Sequence, residues 1–156
     1  DVNDVTPIVH LAIQQGEVAA YNATHADRPA KTIDHRLDTE VVFTDPQVAV
    51  LGLNEVRAQV DKIPYLAASY PFADHGKALC LGATQGFAKL LAAPQTGEIL
   101  GAQIIGPEAG ELIHELIAVM YYRGTVADLL RMPHYHPTLA EIVPYPAESI
   151  AGQLIG

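Results

Sequence analysis

The 156-residue chain has a single cysteine, only nine lysines and arginines, and no apolar run approaching the roughly 20 residues that span a bilayer. Each shortage excludes something. With Cys80 alone, these residues can form neither an internal disulfide nor a redox cysteine pair. Eighteen acidic residues leave a net charge of −9, which argues against nucleic acid or an anionic membrane surface as partner, because both reward basic patches. There is no secretory signal pattern and no Gly-x-Gly-x-x-Gly, so the chain cannot assemble a dinucleotide-binding turn of its own. There is no initiator methionine either. The chain opens Asp1-Val2-Asn3-Asp4 and is expected to be a piece of a larger protein. A cytoplasmic setting is the expected one.

What remains is enough for one well-cored domain and too little for two large ones. Thr6-Pro7 is a helix start, since Thr caps and Pro suits the first turn. That helix should run through Ile8, Leu11, Ala12, Val18 and Ala19 to about Asn22, with Gly16 a weak point. It is apolar on more than one side, which predicts burial against something large. Ala26 to Asp38 is polar, carries Pro29, and reads as a connecting segment. From Glu40 the pattern is α+β. Strands are expected at Val41 to Phe43, Gln47 to Leu53, Ile63 to Ser69, Gly86 to Ala92 and Ile99 to Ile105, the last two joined by the turn Pro94-Gln95-Thr96-Gly97. Asn54 should cap a helix reaching about Val60, and Pro71 to Leu81 reads as another. Ala109, Leu112, Ile113, Leu116, Ile117 and Met120 recur at helical spacing up to a stop at Gly124. Val126 to Leu130 and Pro137 to Gly152 complete the set, the last bent at Pro144 and Pro146. An antiparallel sheet with helices on one side follows. Cys80, in Ala78-Leu79-Cys80-Leu81, is expected to be a buried small hydrophobe.

The chemistry concentrates in His134-Tyr135-His136-Pro137-Thr138-Leu139-Ala140-Glu141. A helix beginning at Pro137 makes His136 extended and puts Glu141 about one turn on, near enough to bond an imidazole nitrogen. A carboxylate behind an imidazole fixes its tautomer and raises its proton affinity, as a proton-transfer pair requires. Taken alone, a His-Pro pair before a helix is more often a cap than a catalyst. His134 adds a His-x-His that metals exploit elsewhere. Zinc, however, needs three or four ligands, and only Glu141 and distant His114 are at hand, so no metal is expected.

Together with Phe43-Thr44-Asp45-Pro46, Val50-Leu51-Gly52-Leu53, Thr84 to Lys89, Thr96 to Ala102 and Ile105 to Ile113, His-Pro-Thr-x-x-Glu resembles the flavin-dependent pyridine nucleotide–disulfide oxidoreductases. Dihydrolipoamide dehydrogenase is the nearest among them. The resemblance covers essentially the whole chain, yet only the C-terminal third of that family. It implies the family's interface domain at residues 40–156, a connecting segment at 26–39, and at 1–25 a remnant of the FAD-binding domain. It further implies a homodimer in which His136 reaches the partner's flavin and disulfide and accepts the substrate dithiol's proton, with Glu141 orienting it. A cis His136-Pro137 bond is expected. Asp1 matches the family's acidic flavin contact, and the backbone of Ile8, Val9 and His10 is placed at the flavin ring, where a helix N-terminus favours negative charge. For His10 the plainer reading is a polar position on a partly buried helix.

Full-length relatives of this kind use FAD and NAD(P) and reduce or oxidise a small, lipoamide-like disulfide. The fragment should bind neither cofactor and be inert. Glutathione reductase shares His-Pro-Thr, and Pro144-Tyr145-Pro146-Ala147-Glu148 departs from the better-known lipoamide enzymes. A different class also stays open: a stand-alone dimerisation or binding module without redox activity.

Overall fold

A computed structural model describes residues 7–154. Its centre is a five-stranded antiparallel sheet in the order β1-β2-β5-β4-β3, built from β1 (Thr39–Val42), β2 (Gln47–Gly52), β3 (Leu66–Pro71), β4 (Phe87–Ala92) and β5 (Ile99–Gly106). Period-two alternation fixes its two faces. Ala49, Ile104 and Ala88 lie in one cross-strand row and Leu51, Ala102 and Leu90 in the next, all six buried. Against them pack Ile113, Leu116 and Met120 of α4 (Ala109–Tyr121), Leu129 of α5 (Val126–Arg131) and Ile150 of α6 (Pro144–Leu154). Each such buried aliphatic contributes roughly 1.5–3 kcal/mol relative to exposure. The expected α+β sheet with flanking helices is therefore observed.

The other face carries the row Val50, Gln103 and Lys89. It meets α2 (Glu55–Val60) through Lys89 Nζ to Glu55 Oε2 at 2.5 Å, and the loop leading into α2 through Gln103 Nε2 donating to Leu53 O at 3.1 Å. Helices thus lie on both faces rather than one.

Most boundaries follow local chemistry. Asn54 Oδ1 accepts the Arg57 N–H at 2.8 Å and starts α2. Thr125 and Asp128 bond each other's backbone N–H and open α5 as a capping box. Several expectations shift. The first helix, α1, spans Val9–Thr24 with Ile8 as its extended N-cap, so Pro7 stands outside it, and Thr6 lies outside the described residues. It runs past Asn22 because that side chain is tied to the Lys31 backbone and does not close the helix. β3 starts at Leu66 because Ile63 donates its N–H to Ala58 O, finishing the turn after α2. The helix expected at Pro71 to Leu81 is broken. A 3-10 turn at Phe72–Asp74 precedes α3 (Gly76–Leu81), and extended His75 between them accepts the Ala78 N–H on Nδ1 at 3.4 Å. Cys80 is exposed, contrary to expectation, because α3 turns only Ala78 inward while Leu79 and Leu81 face out.

The last helix begins at Pro144, not Pro137. Thr138 is extended and acts as the N-cap of a 3-10 turn, Leu139–Ile142, which leads into α6. Pro144 and Pro146 fall in the first turn, where a missing N–H is harmless.

Candidate active site

Residues 132–137 connect α5 to the 3-10 turn and its N-cap Thr138, and all are exposed except His134. The segment includes a cis His136-Pro137 peptide, as expected. Thr138 Oγ1 donates to Tyr135 O at 2.7 Å, folding the segment back on itself. Its neighbour Glu141 sits three positions on, where a capping glutamate reaches the first free N–H. Glu141 Oε2 accepts the Thr138 N–H at 2.7 Å, and Glu141 Oε1 lies 2.9 Å from His136 Nδ1. One carboxylate therefore caps the turn and holds the imidazole.

Charge follows this geometry. The Thr138 N–H and then the His136 ring hold the Glu141 carboxyl below the usual carboxylate range. Glu141 is 23% exposed and His136 is 82% exposed, so a half-buried anion stands behind a solvent-facing ring. With Nδ1 turned to the carboxylate, Nε2 is left to face outward, where it can take or give a proton.

His75 was not singled out by the sequence. It is 2% exposed, and burial pushes its proton affinity below the usual histidine value, while the Glu141 charge pulls the other way. Its ring meets Phe72 and Tyr145 edge-on, each at 6.3 Å between centroids. Glu115 was missed too. It pairs with His134, Oε1 to Nε2 at 2.7 Å, whereas His114 is exposed. The signal was a polar position inside the apolar stripe of α4.

Ile8, Val9 and His10 stand at the other end of the chain. The start of α1 has no side-chain cap, Val9 is 77% exposed, and His10 is exposed rather than partly buried. They line an open groove with Leu37, Val41, Ile113 and His114. Leu11 is the buried residue of α1, so the chain supplies little of the cover that this helix's apolar sides call for. Asp1 lies outside the described residues. Among the described residues no helix is long and apolar enough to cross a membrane.

The mixed domain thus presents a carboxylate-backed imidazole at its surface. Known proteins make the class specific. A family model for the pyridine nucleotide-disulphide oxidoreductase dimerisation domain matches residues 39–147. The chain belongs to that family. It is 39% identical over 154 residues to a dihydrolipoyl dehydrogenase of Geobacillus stearothermophilus, covering 97% of this chain and 32% of that protein. It is 37% identical over 155 residues to a dihydrolipoyl dehydrogenase of Bacillus subtilis, covering 99% and 32%. The chain thus spans about a third of the length of the curated relatives it matches. LpdA from Mycobacterium tuberculosis shares the fold at TM-score 0.84 and 24% identity, over 94% of this chain and 32% of that one. The flavoprotein disulfide reductase RclA from Escherichia coli shares it at TM-score 0.76 and 18% identity, over 99% and 34%.

Proposed function

We propose that this chain is the interface portion of an FAD- and NAD(P)-linked disulfide oxidoreductase resembling dihydrolipoamide dehydrogenase. In this reading residues 40–156 form the homodimer, 26–39 connect, and 1–25 belong to the FAD-binding domain, of which the chain holds too little to act alone. A cytoplasmic location belongs to the same reading. The observation that carries it is the His136–Glu141 pair, 2.9 Å apart, with the ring almost wholly in solvent.

The open start of α1 fits a flavin. Its first N–H groups have no side-chain cap and border a groove, so they can meet the electron-rich edge of a ring. When bound, FAD supplies two-electron transfer between the nicotinamide and a cysteine pair carried elsewhere in the full-length protein. This chain's residues handle the proton. Neutral His136, its Nδ1–H donated to Glu141, accepts a proton from the substrate dithiol on Nε2 as the thiolate attacks the partner subunit's disulfide. Glu141 stabilises the imidazolium that results, and the same ring returns the proton in the reverse direction. Glu141 keeps its ionised form throughout, because the Thr138 N–H already favours it. A lipoamide-like substrate is the best match, given the dihydrolipoyl dehydrogenases among the relatives.

In the full-length protein, His136→Gln should slow dithiol oxidation by about a hundredfold or more, the usual contribution of a positioned acid–base group. Reduction of the flavin by the nicotinamide should stay within a factor of two or three. Equal loss of both half-reactions would make His136 structural and overturn the reading.

A further inference from the structure

We propose that His134 and Glu115 form a strap that positions His136, making both of them positioning residues for the proton transfer assigned above. The inference rests on that reading of His136 but on different observations. Between Arg131 and Pro137 every residue but His134 is exposed, so little packing holds the segment that carries His136. The polar contacts of Tyr135, His136 and Thr138 stay within the segment and the turn that follows it: Thr138 to Tyr135 O, Glu141 to the Thr138 N–H, and His136 to Glu141. These fix the ring relative to the turn. They do not tie the segment to α4.

His134 does. Its side chain is 11% exposed, and Nε2 lies 2.7 Å from Oε1 of Glu115, itself 21% exposed. Glu115 sits mid-way along α4, flanked by Ile113 and Leu116, both fully buried against the sheet. Nδ1 lies 3.1 Å from Met132 O, so the ring faces an acceptor at each nitrogen and locks the segment's own path as well. A half-buried, charge-assisted hydrogen bond to a helix packed on the core is a stiff anchor, whereas a fully exposed pair is not. Two residues beyond the anchor, His136 points outward. Displacing a reacting group by about 1 Å can lose about a hundredfold in rate, so an anchor this close to the ring controls how it meets a substrate.

The test has two arms. In the full-length protein, His134→Ala and Glu115→Ala should each slow dithiol oxidation by about tenfold to a hundredfold while flavin reduction changes less than about threefold. The double variant should be no slower than either single, because both remove one contact. His134→Gln, whose amide nitrogen stands where Nε2 stood, should recover part of the rate. Multiplicative losses, equal losses in both half-reactions, or no loss would each overturn the strap. In the second arm, the His136 ring resonances of the 156-residue chain are followed by NMR. They should shift in His134→Ala while the sheet amides keep their positions, and unchanged His136 signals would overturn the proposal. If His136→Gln itself leaves dithiol oxidation intact, the functional reading falls, and the NMR arm still decides the strap.

Discussion

Tyr145 stacks on Tyr70 with ring centroids 4.1 Å apart and planes 14° from parallel. The pair joins the first turn of α6 to the edge strand β3, and the Tyr70 hydroxyl donates to Asp74 O at 3.1 Å, drawing in the turn before α3. Glu141 lies in the turn that leads into α6, so this contact helps set where the acidic half of the pair stands.

Tyr145→Ala should therefore destabilise the chain by about 1–3 kcal/mol, combining lost buried area with the stacking term. Tyr145→Phe keeps the stack and should stay within about 0.5 kcal/mol of the parent. Urea unfolding curves of the three proteins check this, and equal losses for Ala and Phe would assign the effect to the hydroxyl.

His75 sets a pH dependence whose sign is fixed by its surroundings. Burial disfavours its charged form, so its folded proton affinity lies below the ordinary value of 6.5. Below that value the unfolded chain binds the proton more readily, and stability falls as pH drops from about 6.5 through the folded value. His75→Asn keeps an acceptor for the Ala78 N–H and removes this titration. The stability of the parent should decline relative to the variant as pH is lowered from 7 to 5, measured by denaturant midpoints. Parallel curves would contradict the assignment.

Gly86 and Gly82 separate collision from conformation. Gly86 has φ +99°, and a Cβ there would stand 1.8 Å from Ile105 O in β5. Gly82 also has positive φ, at +67°, but a Cβ there meets nothing within 4 Å. Gly82→Ala should cost about 1 kcal/mol, the left-handed penalty alone, whereas Gly86→Ala should exceed about 3 kcal/mol or prevent folding. Comparable thermal midpoints for the two would show that β4 and β5 separate more easily than their pairing implies.

The strands were legible as short β-rich runs bounded by turn residues such as Pro94-Gln95-Thr96-Gly97; alternation itself is clean in Gln47–Gly52 but lost in Phe87–Ala92, where Leu90, Leu91 and Ala92 are all buried. The His136–Glu141 pair was legible because its spacing matches a capping turn. What escaped was set at long range. Glu115 lies 19 residues from its partner His134, and no local pattern connects them. His75 looked like an ordinary polar residue in a helix, yet its burial depends on Phe72 and on Tyr145, 70 positions away by sequence number. Cys80 misled because an apolar run in a six-residue helix need not all face inward, and α3 buries just Ala78. The last helix starts at Pro144 rather than Pro137 because Thr138, not Pro137, receives the capping carboxylate and opens a 3-10 turn at Leu139–Ile142 ahead of it.

The central claim is that His136 serves a site on the other subunit, and mixed dimers of the full-length protein test it most directly. One subunit carries His136→Gln and the other carries a serine in place of a redox cysteine of the full-length protein, so neither parent dimer is active. The account predicts that mixing and reassembly restore dithiol oxidation, with about one working site per hybrid dimer. Hybrids that stay inactive while both variants fold and dimerise would show that His136 does not act across the interface.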